Sequence, residues 1–572
     1  MADSLNALEQ QRSAILMRFL ELGDFRSGSI SAINGRCGKP NCHCHQPGQP
    51  GHGPNFRLTR KVGGKTVSES FSSAAELRKA QHEVEAFHRF RQLSQDLLAV
   101  NERICRARPV EDALSPEEKK TVEAIRQEVT REIEQLLRVV FQGRHKTGRV
   151  DLEALETAVR AAMHRVGAAA LGELLQFPVP ADAQRIIPCG CGHQAHYREL
   201  RAKTVLTVVG AANVSRPYYL CPHCHSGQLP ADVELDIANT EFSPGVRRMH
   251  ALVGQEASFD HGREQMSVLA GLEVTAKAVE RTAEAIGENI GQAEQQVIQS
   301  AIQLDLPIVV GDPIPVLYVQ MDGTGVPVVK KETEGRKGKT EGQPAHTREA
   351  KLGCVFTQTG WDEEGFAIRD PDSTTYTGAI ETAEEFGRRL YLEAWNRGWN
   401  HAAKRVVIGD GAEWIRNIAE IHFPGAVHIV DLYHARQHLW DVARALYPND
   451  AASQKPWMKV HQKGLLDKGK VEKLVLALRS LLRTHPDIAE KIRTEADYFE
   501  KNADRMRYPK YRKQHLFVGS GVIEAGCKTV IGSRLKQSGM FWTVRGANAI
   551  IALRCCHLNG RFEDYWESRR AA

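Results

Sequence analysis

The sequence lacks any apolar run of about 18 residues or more, so it predicts no membrane-spanning helix. Its first ten residues also lack the basic start and the apolar core of a secretory signal. We therefore expect a cytoplasmic protein with no membrane partner. At 572 residues, with 42% hydrophobic and 26% charged side chains, the chain is too long for one core and predicts several globular domains.

A strong excess of one charge is missing as well. The 76 Lys and Arg side chains face 70 Asp and Glu, and a net charge of +6 does not by itself indicate a nucleic-acid partner. The distribution is more informative, because residues 505–536 contain eight basic residues and one acid, Glu524, and so carry +7. Such a local patch is typical of contact with a phosphate backbone, and solvated surface is the alternative.

The candidate nucleic-acid contacts in this patch are Arg505, Arg507, Lys510, Arg512, Lys513, Lys528, Arg534 and Lys536. The first five come just before Glu524, and we expect them beside the helix that carries it. Lys528 lies one helical turn after Glu524, on the same face.

Disulfide bonds are not expected in a reducing compartment, although the chain has 12 cysteines. Five are interpreted as small core residues: Cys105, Cys354, Cys527, Cys555 and Cys556. The other seven fall into two tight clusters, which is the pattern of metal binding.

Cys37, Cys42 and Cys44 form the first cluster, in a segment rich in glycine and proline that has little core. Three thiolates and one imidazole predict a tetrahedral zinc site, where the metal would supply the folding energy. The candidate fourth ligands are His43, His45 and His52. A loop with incidental reduced cysteines is the alternative.

The second cluster predicts a zinc ribbon. Cys189 and Cys191 are followed about 30 residues later by Cys221 and Cys224, with a predicted hairpin between the pairs. The first pair is short for a zinc knuckle, so a histidine in place of one thiolate is an alternative. The histidines in question are His193 and His196.

Helical periodicity covers residues 5–24, 73–142 and 151–176, and residues 56–67 predict a hairpin with a Gly-Gly turn. Residues 262–281 resemble a helix-turn-helix. The turn would lie at residues 270–271, and the recognition helix, residues 275–287, offers Lys277 and Arg281 as candidate DNA contacts. With only two basic residues, it is equally interpreted as part of a helical pair that packs on the following domain.

Three carboxylates stand in short motifs of the C-terminal half: Asp322, Asp410 and Glu524. Each aspartate follows an apolar, β-branched run, so it should lie at or near the end of a buried strand, and Glu524 begins a helical pattern. Taken alone, each Asp-Gly pair is also typical of a hairpin turn, and Glu524 of a first-turn acid favoured by the helix dipole. For Asp410 the turn is less favoured, because residues 413–423 predict a helix.

Taken together, the motifs resemble an insertion-sequence transposase of the DDE type, most closely the ISKra group. The matching segments are Asp322-Gly-Thr-Gly325, Gly409-Asp-Gly-Ala-Glu-Trp-Ile415, Gly519-Ser-Gly-Val-Ile-Glu524 and Arg534-Leu-Lys-Gln-Ser-Gly-Met-Phe-Trp542. Asp431-Leu-Tyr-His434 resembles the Asp-x-x-His signature of Mutator-like and related transposases. The similarity runs from about residue 204 to residue 554.

The resemblance implies a prokaryotic, nucleoid-associated enzyme that binds the ends of its element, cuts one strand and joins the freed 3′ hydroxyl to target DNA. Asp322, Asp410 and Glu524 would be its catalytic residues. They would hold two magnesium ions, or manganese, about 4 Å apart. His434 would lie near the scissile phosphate, with a helix-capping role as the alternative. At least a homodimer on DNA is expected, because two ends must be paired.

These patterns predict a multidomain α+β protein. The expected domains are an N-terminal helix with a zinc module, 1–72; a charged helical region, 73–180; a zinc ribbon, 181–235; a helix-turn-helix-like DNA-binding region, 236–305; a ribonuclease-H-like catalytic α/β domain, 306–435 and 504–572; and an all-helical insertion, 436–503. Trp457 and Phe499 of the insertion are interpreted as core residues, with base stacking as the alternative. A charged insert, 330–351, is expected to be a loop.

Two other functions fit the same sequence. A ribonuclease-H-like nuclease, such as a resolvase or an exonuclease, would cut DNA without joining it. A domesticated descendant of a transposase would bind DNA without catalysis, held together by its zinc modules. The intact carboxylates argue against this second alternative.

Overall fold

The computed structural model describes residues 5–49, 51–107, 115–147, 151–303, 306, 309, 311, 313–338 and 344–571. The chain forms two units, Met1–Lys119 and Lys120–Ala572. Residues 108–114 of the predicted helical stretch 73–142 and residues 339–343 of the predicted loop lie outside the described residues. Within the described ranges, no helix combines the length and the apolar composition that crossing a membrane requires.

The first unit contains a helix, a three-stranded sheet and a long helix. These elements are α1 Leu5–Leu20, β1 Ser29–Gly35, β2 His52–Val62, β3 Lys65–Ser70 and α2 Ala74–Ala107. The strands pair antiparallel in the order β1-β2-β3. Gly63 and Gly64 join β2 to β3 with φ angles of 57° and 79°, which glycine adopts without strain, so the predicted Gly-Gly hairpin is confirmed. Leu8 packs on Val100 and Ile104.

The chain continues with two helices and a four-stranded antiparallel sheet. These are α3 Pro116–Thr147, α4 Leu152–Leu174, β4 Ile186–Pro188, β5 Gln194–Thr207, β6 Gly210–Leu220, β7 Gly227–Gln228 and α5 Pro230–Glu234. The sheet order is β4-β5-β6-β7. The long β5–β6 hairpin separates the two cysteine pairs, as the ribbon pattern predicts.

Three helices follow, namely α6 Pro244–Glu256, α7 Phe259–Gln265 and α8 Ala276–Ile302. A π turn, Met266–Ala270, and Gly271 at φ 67° connect α7 to α8, and the Thr275 hydroxyl caps α8. α8 continues well beyond the predicted recognition helix. It packs so closely on the helix Val544–Leu558 that a Cβ at Gly287 would collide with the carbonyl oxygen of Ala549. This packing agrees with the helical-pair interpretation of the segment.

A five-stranded mixed sheet forms the centre of the second unit. The strands of this region are β8 Ile314–Pro327, β9 Thr347–Gln358, β10 Gly360–Trp361, β11 Ala367–Ile368, β12 Thr375–Ala379, β13 Ala402–Gly409 and β14 Val427–Val430. The sheet order is β12-β9-β8-β13-β14, and β10 and β11 pair separately. β8, β13 and β14 run parallel, whereas β9 is antiparallel to both β8 and β12.

Alternation along β8 gives the sheet two buried faces. Leu317, Val319 and Met321 pack in one cluster with helices α9 Ala383–Asn396 and α10 Glu413–His422. Tyr318 lies on the opposite face, in a larger cluster. Residues 320 and 322 share the face of Tyr318, because they follow it at steps of two.

The remaining helices are α11 Leu432–Leu446, α12 Ala451–Met458, α13 Val471–Leu481, α14 Ala489–Asn502, α15 Tyr508–Arg512, α16 Gly521–Gly526, α17 Ser533–Leu535, α18 Val544–Leu558 and α19 Phe562–Ala571. In the helical interval 436–503, Trp457 and Phe499 are both buried. Their rings therefore fill the core rather than offer a surface for a base.

Candidate active site and metal centres

Asp322 and Asp410 are neighbours because two parallel strands carry them. Gln320 of β8 pairs with Ile408 of β13, and each aspartate lies two residues further along. Adjacent strands lie about 4.8 Å apart, and residues two apart share a face. Asp322 lies inside β8 rather than at its end, because β8 pairs with β9 as far as Pro327. The hairpin-turn alternative is therefore wrong for Asp322.

Asp410 directly follows β13, and its carboxylate accepts a hydrogen bond from the Ala412 amide at 2.8 Å. A helix, α10, comes next instead of a return strand, so the hairpin alternative is wrong here too. Tyr498, from the helical insertion, donates a hydrogen bond to the carbonyl oxygen of Asp410 at 2.8 Å. Gly411, at φ 92°, leaves room for this ring, since a Cβ there would lie 3.0 Å from it. The insertion thus holds the backbone at the second carboxylate.

Glu524 stands on α16, which strand β8 holds in place. The buried Gln320 side chain accepts a hydrogen bond from the Ile523 amide at 3.1 Å and donates one to the carbonyl oxygen of Gly519 at 3.2 Å. Because Gln320 and Asp322 share one face of β8, this one side chain sets the position of Glu524 relative to Asp322. Beyond α16 the chain makes a π turn, Cys527–Gly532, rather than the regular helix predicted.

A second link joins Glu524 to the Asp-x-x-His segment. Asp431 is fully buried and caps α11 by accepting a hydrogen bond from the His434 amide at 2.8 Å. Its other oxygen accepts hydrogen bonds from the amide and the hydroxyl of Ser520. That hydroxyl lies 3.1 Å from Glu524 Oε1. Since Asp431 caps the helix, the capping role considered for His434 is wrong.

The three carboxylates share one pocket with a volume of about 340 Å³. The other lining residues are Met321, Tyr433, His434, Gln437, Ser520 and Ile523. Burial raises the pKa of Asp322, the Gly323 amide opposes this shift, and the negative charges of Asp410 and Glu524 raise the pKa further. Clustered carboxylate oxygens that repel one another are suitable ligands for a hard divalent cation such as magnesium.

Two further groups border the pocket. The buried thiol of Cys527 lies 3.7 Å from Asp322 Oδ2, and burial raises the pKa of Cys527 to about 12, so the thiol stays neutral. Lys536 donates a hydrogen bond to the hydroxyl of Thr324, two residues beyond Asp322 on β8. Lys528 is exposed on the π turn after Glu524. These two lysines are the predicted phosphate contacts that lie near the carboxylates.

The basic run before Glu524 ends at the other end of the sheet. Lys404 pairs with Val316 in the sheet and donates a hydrogen bond to the Gln514 side chain at 3.2 Å. Val316 is six residues before Asp322, which is about 20 Å at 3.3 Å per residue. The expectation that residues 505–513 lie beside the helix of Glu524 is therefore wrong for the end of the run, which leads into Gln514. Arg505, at its start, follows three residues after Asn502, whose side chain lies beside Gly411. The exposed members of the run are Lys510, Arg512 and Lys513.

Arg534 is buried instead of facing DNA. Its guanidinium donates to the carbonyl oxygen of Gly254 at 2.9 Å and lies 4.4 Å and 5.0 Å from the ring centroids of Phe259 and Trp542. Burial lowers the pKa of Arg534 to about 10. The prediction that Arg534 contacts a phosphate is wrong, because its side chain has no exposed surface.

The remaining predicted nucleic-acid contacts differ in how exposed their side chains are. Arg507 forms an ion pair with Glu472 of the insertion, and Arg505 is half-buried and donates to the carbonyl oxygen of Lys501. Lys277 and Arg281 are exposed and line a groove of about 1120 Å³ next to β5. This groove, rather than the pocket, is where the predicted helix-turn-helix residues lie.

The structure brings the ligand atoms of the first cysteine cluster together. Cys37, Cys42, Cys44 and His52 place their ligand atoms within 4.8 Å of one another, and Cys42 Sγ lies 2.9 Å from His52 Nε2. Of the three histidines left open by the sequence, His52 is the one in this group. A backbone amide at Lys39 contributes most to lowering the pKa of Cys37. Three sulfurs and one imidazole can hold a metal such as zinc.

The second cluster brings together all four thiols of Cys189, Cys191, Cys221 and Cys224. The closest Sγ pairs are 189–224 at 3.6 Å and 191–221 at 3.7 Å. The Cys224 amide is the main cause that lowers the pKa of Cys221 to about 6, which favours the thiolate that binds zinc. Neither alternative histidine is needed: His196 pairs within the sheet, and His193 forms a separate group with Cys191 and His223.

Sequence reasoning missed three residues that support the acidic pocket. Gln320, Asp431 and Ser520 are buried polar side chains that hold Glu524 and its helix in place. A signal existed for Gln320, since a glutamine two residues before Asp322 in an apolar strand must find a buried partner. Asp431 and Ser520 lie in the motifs that resemble a transposase, but no local sequence pattern indicates that the two side chains form a hydrogen bond.

The sheet, the acidic pocket and the two cysteine groups define a mixed α+β protein that can bind metals. The chain belongs to the family described as Uncharacterised protein family (UPF0236), whose model matches residues 146–569. A second model, Domain of unknown function (DUF6788), matches residues 5–79. No curated protein matches the chain. Among solved structures, the chain is similar to a Drosophila P element transposase strand transfer complex, with 9% identity, coverage of 59% of this chain and 83% of that one, and a TM-score of 0.21.

Proposed function

We propose that this protein is a DNA transposase of the DDE type, with a ribonuclease-H-like catalytic domain formed by the mixed sheet. It would cut DNA at the ends of its element and join the freed 3′ hydroxyl to target DNA. The observation that carries the proposal is the meeting of Asp322, Asp410 and Glu524 in one pocket. Three separate segments contribute them, and buried hydrogen bonds through Gln320 and Tyr498 fix their backbones.

The residues fit magnesium, because the pocket offers carboxylate oxygens, and burial first and then the charges of Asp410 and Glu524 raise the pKa of Asp322. When bound, paired magnesium ions would polarise the phosphate and assist the attacking hydroxyl and the leaving oxygen. Asp322, Asp410 and Glu524 would be the ligands. Lys528 and Lys536 would hold the adjacent phosphates of the DNA strand, and His434, on the pocket wall, would orient the scissile phosphate.

The family supports the same conclusion, because it is often associated with transposase-like proteins. Assignment to the ISKra group is the finer part of the proposal and rests on the sequence motifs. The two cysteine groups would hold structural zinc. At least two copies would act together, because the ends of an element must be paired.

The test uses the purified full chain with magnesium, labelled DNA that carries the sequences flanking its gene, and a target plasmid. We expect the wild-type protein to nick the ends and join them to the plasmid. Asp322→Asn, Asp410→Asn and Glu524→Gln should bind the DNA but lose about 100-fold or more of both activities, since each loses a metal ligand. Glu490→Gln is the matched control, because the Glu490 side chain is 90% exposed and far from the pocket in sequence.

Each other outcome selects a different function. Cutting without joining would identify a nuclease. DNA binding without cutting, unchanged in all three carboxylate variants, would identify a DNA-binding protein whose carboxylates are structural. Equal loss in Glu490→Gln would show that the assay reports stability rather than chemistry.

A further inference from the structure

The N-terminal zinc module carries a charge pattern that the proposed catalytic site does not use. Residues 27–68 contain no Asp or Glu, but they contain six basic residues: Arg36, Lys39, Arg57, Arg60, Lys61 and Lys65. This segment of the first unit thus has as much net positive charge as the whole chain. Such a segment is expected to have a polyanionic partner.

The register of the three strands sorts these residues onto two faces. Ser31 pairs with Arg57, Thr59 with Ser68, and Lys61 with Thr66. Cross-strand partners share a face, and so do residues two apart on one strand. These six side chains therefore form one surface, the hydroxyl face, on which two cations are surrounded by hydroxyl groups.

The opposite face is already occupied. Leu58, which lies between Arg57 and Thr59, is 1% exposed. Its cross-strand partner Glu69 forms an ion pair with Arg26, and Arg26 also pairs with Glu83 of α2. The centre of the Leu58 face thus packs within the first unit, whereas Arg57 and Lys61 of the hydroxyl face are exposed.

We propose that the hydroxyl face binds the phosphate backbone of double-stranded DNA. Phosphate contacts are made by Arg and Lys together with Ser and Thr hydroxyls, which is the composition of this face. Acidic residues, which would repel phosphate, are absent from it along the described strands β1–β3. Aromatic side chains, on which unpaired bases stack, are absent from it too, and Phe56 belongs to the other face.

The zinc group extends this surface. His52 pairs with Gly35 at one end of the β1–β2 hairpin, so the ion would lie at the edge of the same sheet. Arg36 and Lys39 are exposed in the loop that carries the cysteines. Zinc would fix this loop and with it two further cations next to the strands. The choice of DNA as the polyanion rests on the proposed function, whereas the face itself does not.

The experiment measures DNA binding by the full chain in an Asp322→Asn background, which prevents cutting. The probe is a labelled duplex with the flanking sequences, and fluorescence anisotropy is recorded over a range of sodium chloride concentrations. In Arg57→Gln/Lys61→Gln, the slope of log K against log salt should fall by about 1.8, which is two phosphate contacts at about 0.9 each. Zinc content and melting temperature should be unchanged, because both side chains are exposed.

Arg60→Gln/Lys65→Gln is the matched control. It removes the same charge from the same β2–β3 hairpin, but on the face of Leu58, since Arg60 pairs with Val67 and Lys65 with Val62. We expect less than half of the slope change. Equal changes in both variants, or none in either, would overturn the proposal, as would tighter binding of an RNA duplex of the same sequence.

Failure of this inference and failure of the proposed function are distinguishable. If the wild type nicks and joins DNA but the slope is unaffected by Arg57→Gln/Lys61→Gln, only the hydroxyl face is disproved. If the slope changes as expected but the wild type neither nicks nor joins, the face binds DNA in a protein that is not a transposase.

Discussion

The acidic pocket, where we propose magnesium, and the cysteine groups, which could hold a metal such as zinc, are stabilised in different ways. The pocket lies on the largest hydrophobic core of the chain, which includes Tyr318, Ile523 and Val530. Its geometry is set by fully buried polar side chains, Gln320 and Asp431. The carboxylates are therefore held in place by protein contacts alone.

The cysteine groups have no comparable support. In the ribbon, the local core consists of Cys189, Ala195, Tyr219 and Cys221, so two of the ligands are themselves half of it. A core this small cannot offset the entropy of ordering the surrounding loops. The comparison indicates that a metal in the pocket would take part in catalysis on a scaffold that is already folded. A metal at the cysteine groups would instead be needed for folding.

The largest expected effect follows from this difference. Cys221→Ser removes one thiolate from a site of the kind that contributes about 10–16 kcal/mol to folding. We expect the loss of one zinc equivalent and unfolding of strands β4–β7, seen as new protease cleavage between residues 186 and 228. Asp322→Asn, which alters the pocket, should lose no zinc and no protease resistance.

The interpretation of Cys105 as a core residue is wrong, because its side chain is exposed. Cys105→Ser is therefore the control for this experiment, since Cys105 also lies outside both groups. Its zinc content should equal that of the wild type. A ribbon that resists protease in Cys221→Ser would show that the hairpin is stable without metal, and the contrast between the two kinds of site would disappear.

A smaller effect is expected from Gln320→Leu, which tests the preformed pocket. The change preserves the approximate size of the side chain but leaves the Ile523 amide and the Gly519 carbonyl oxygen buried without a partner. Each orphaned group costs about 1–3 kcal/mol, so the free energy of unfolding should fall by about 2–6 kcal/mol. Nicking should fall by about tenfold or more, and half-maximal activity should require more magnesium, because Glu524 is no longer held relative to Asp322.

Gln537→Leu provides the comparison, since the Gln537 amide donates to an exposed turn of the same segment. It should leave both the unfolding free energy and the magnesium requirement unchanged. An unchanged magnesium requirement in Gln320→Leu would mean that Glu524 is positioned by other contacts, and the zinc content of both variants should stay at the wild-type value.

The two regions also differ in how much of their structure could be predicted from the sequence. The cysteine groups and the Gly63-Gly64 hairpin are local patterns, and residue spacing was enough to predict them. The pocket depends on register and on contacts across about 200 residues, such as Gln320 with Ile523, which no local period encodes. For the same reason the end of the basic run was placed wrongly, because residues 514–520 run along the sheet before Glu524 is reached.

Arg534 is a second case in which the local sequence does not predict the environment of a side chain. A basic residue in a basic patch predicts an exposed side chain, but Phe259 and Trp542 enclose this one through cation–π contacts. Phe259 is far away in the sequence, so only the tertiary structure identifies Arg534 as a packing residue.

The smallest expected effect is a pH dependence that separates the pocket from the cysteine groups. The pKa of Asp322 is raised, by burial first and then by Asp410 and Glu524, so the folded protein binds a proton more tightly there than the unfolded chain does. The sign follows from linkage: the stability contributed by protonated Asp322 is present below the ordinary Asp pKa and is lost as pH rises towards the raised value. In wild-type protein without magnesium, the melting temperature should therefore fall through this window relative to Asp322→Asn, and added magnesium should restore it.

A metal chelator selective for zinc should not change this difference between the two proteins, because the cysteine groups lie in other parts of the chain. If magnesium raises the melting temperature of Asp322→Asn as much as that of the wild type, the ion binds elsewhere, and the pocket is not a metal site.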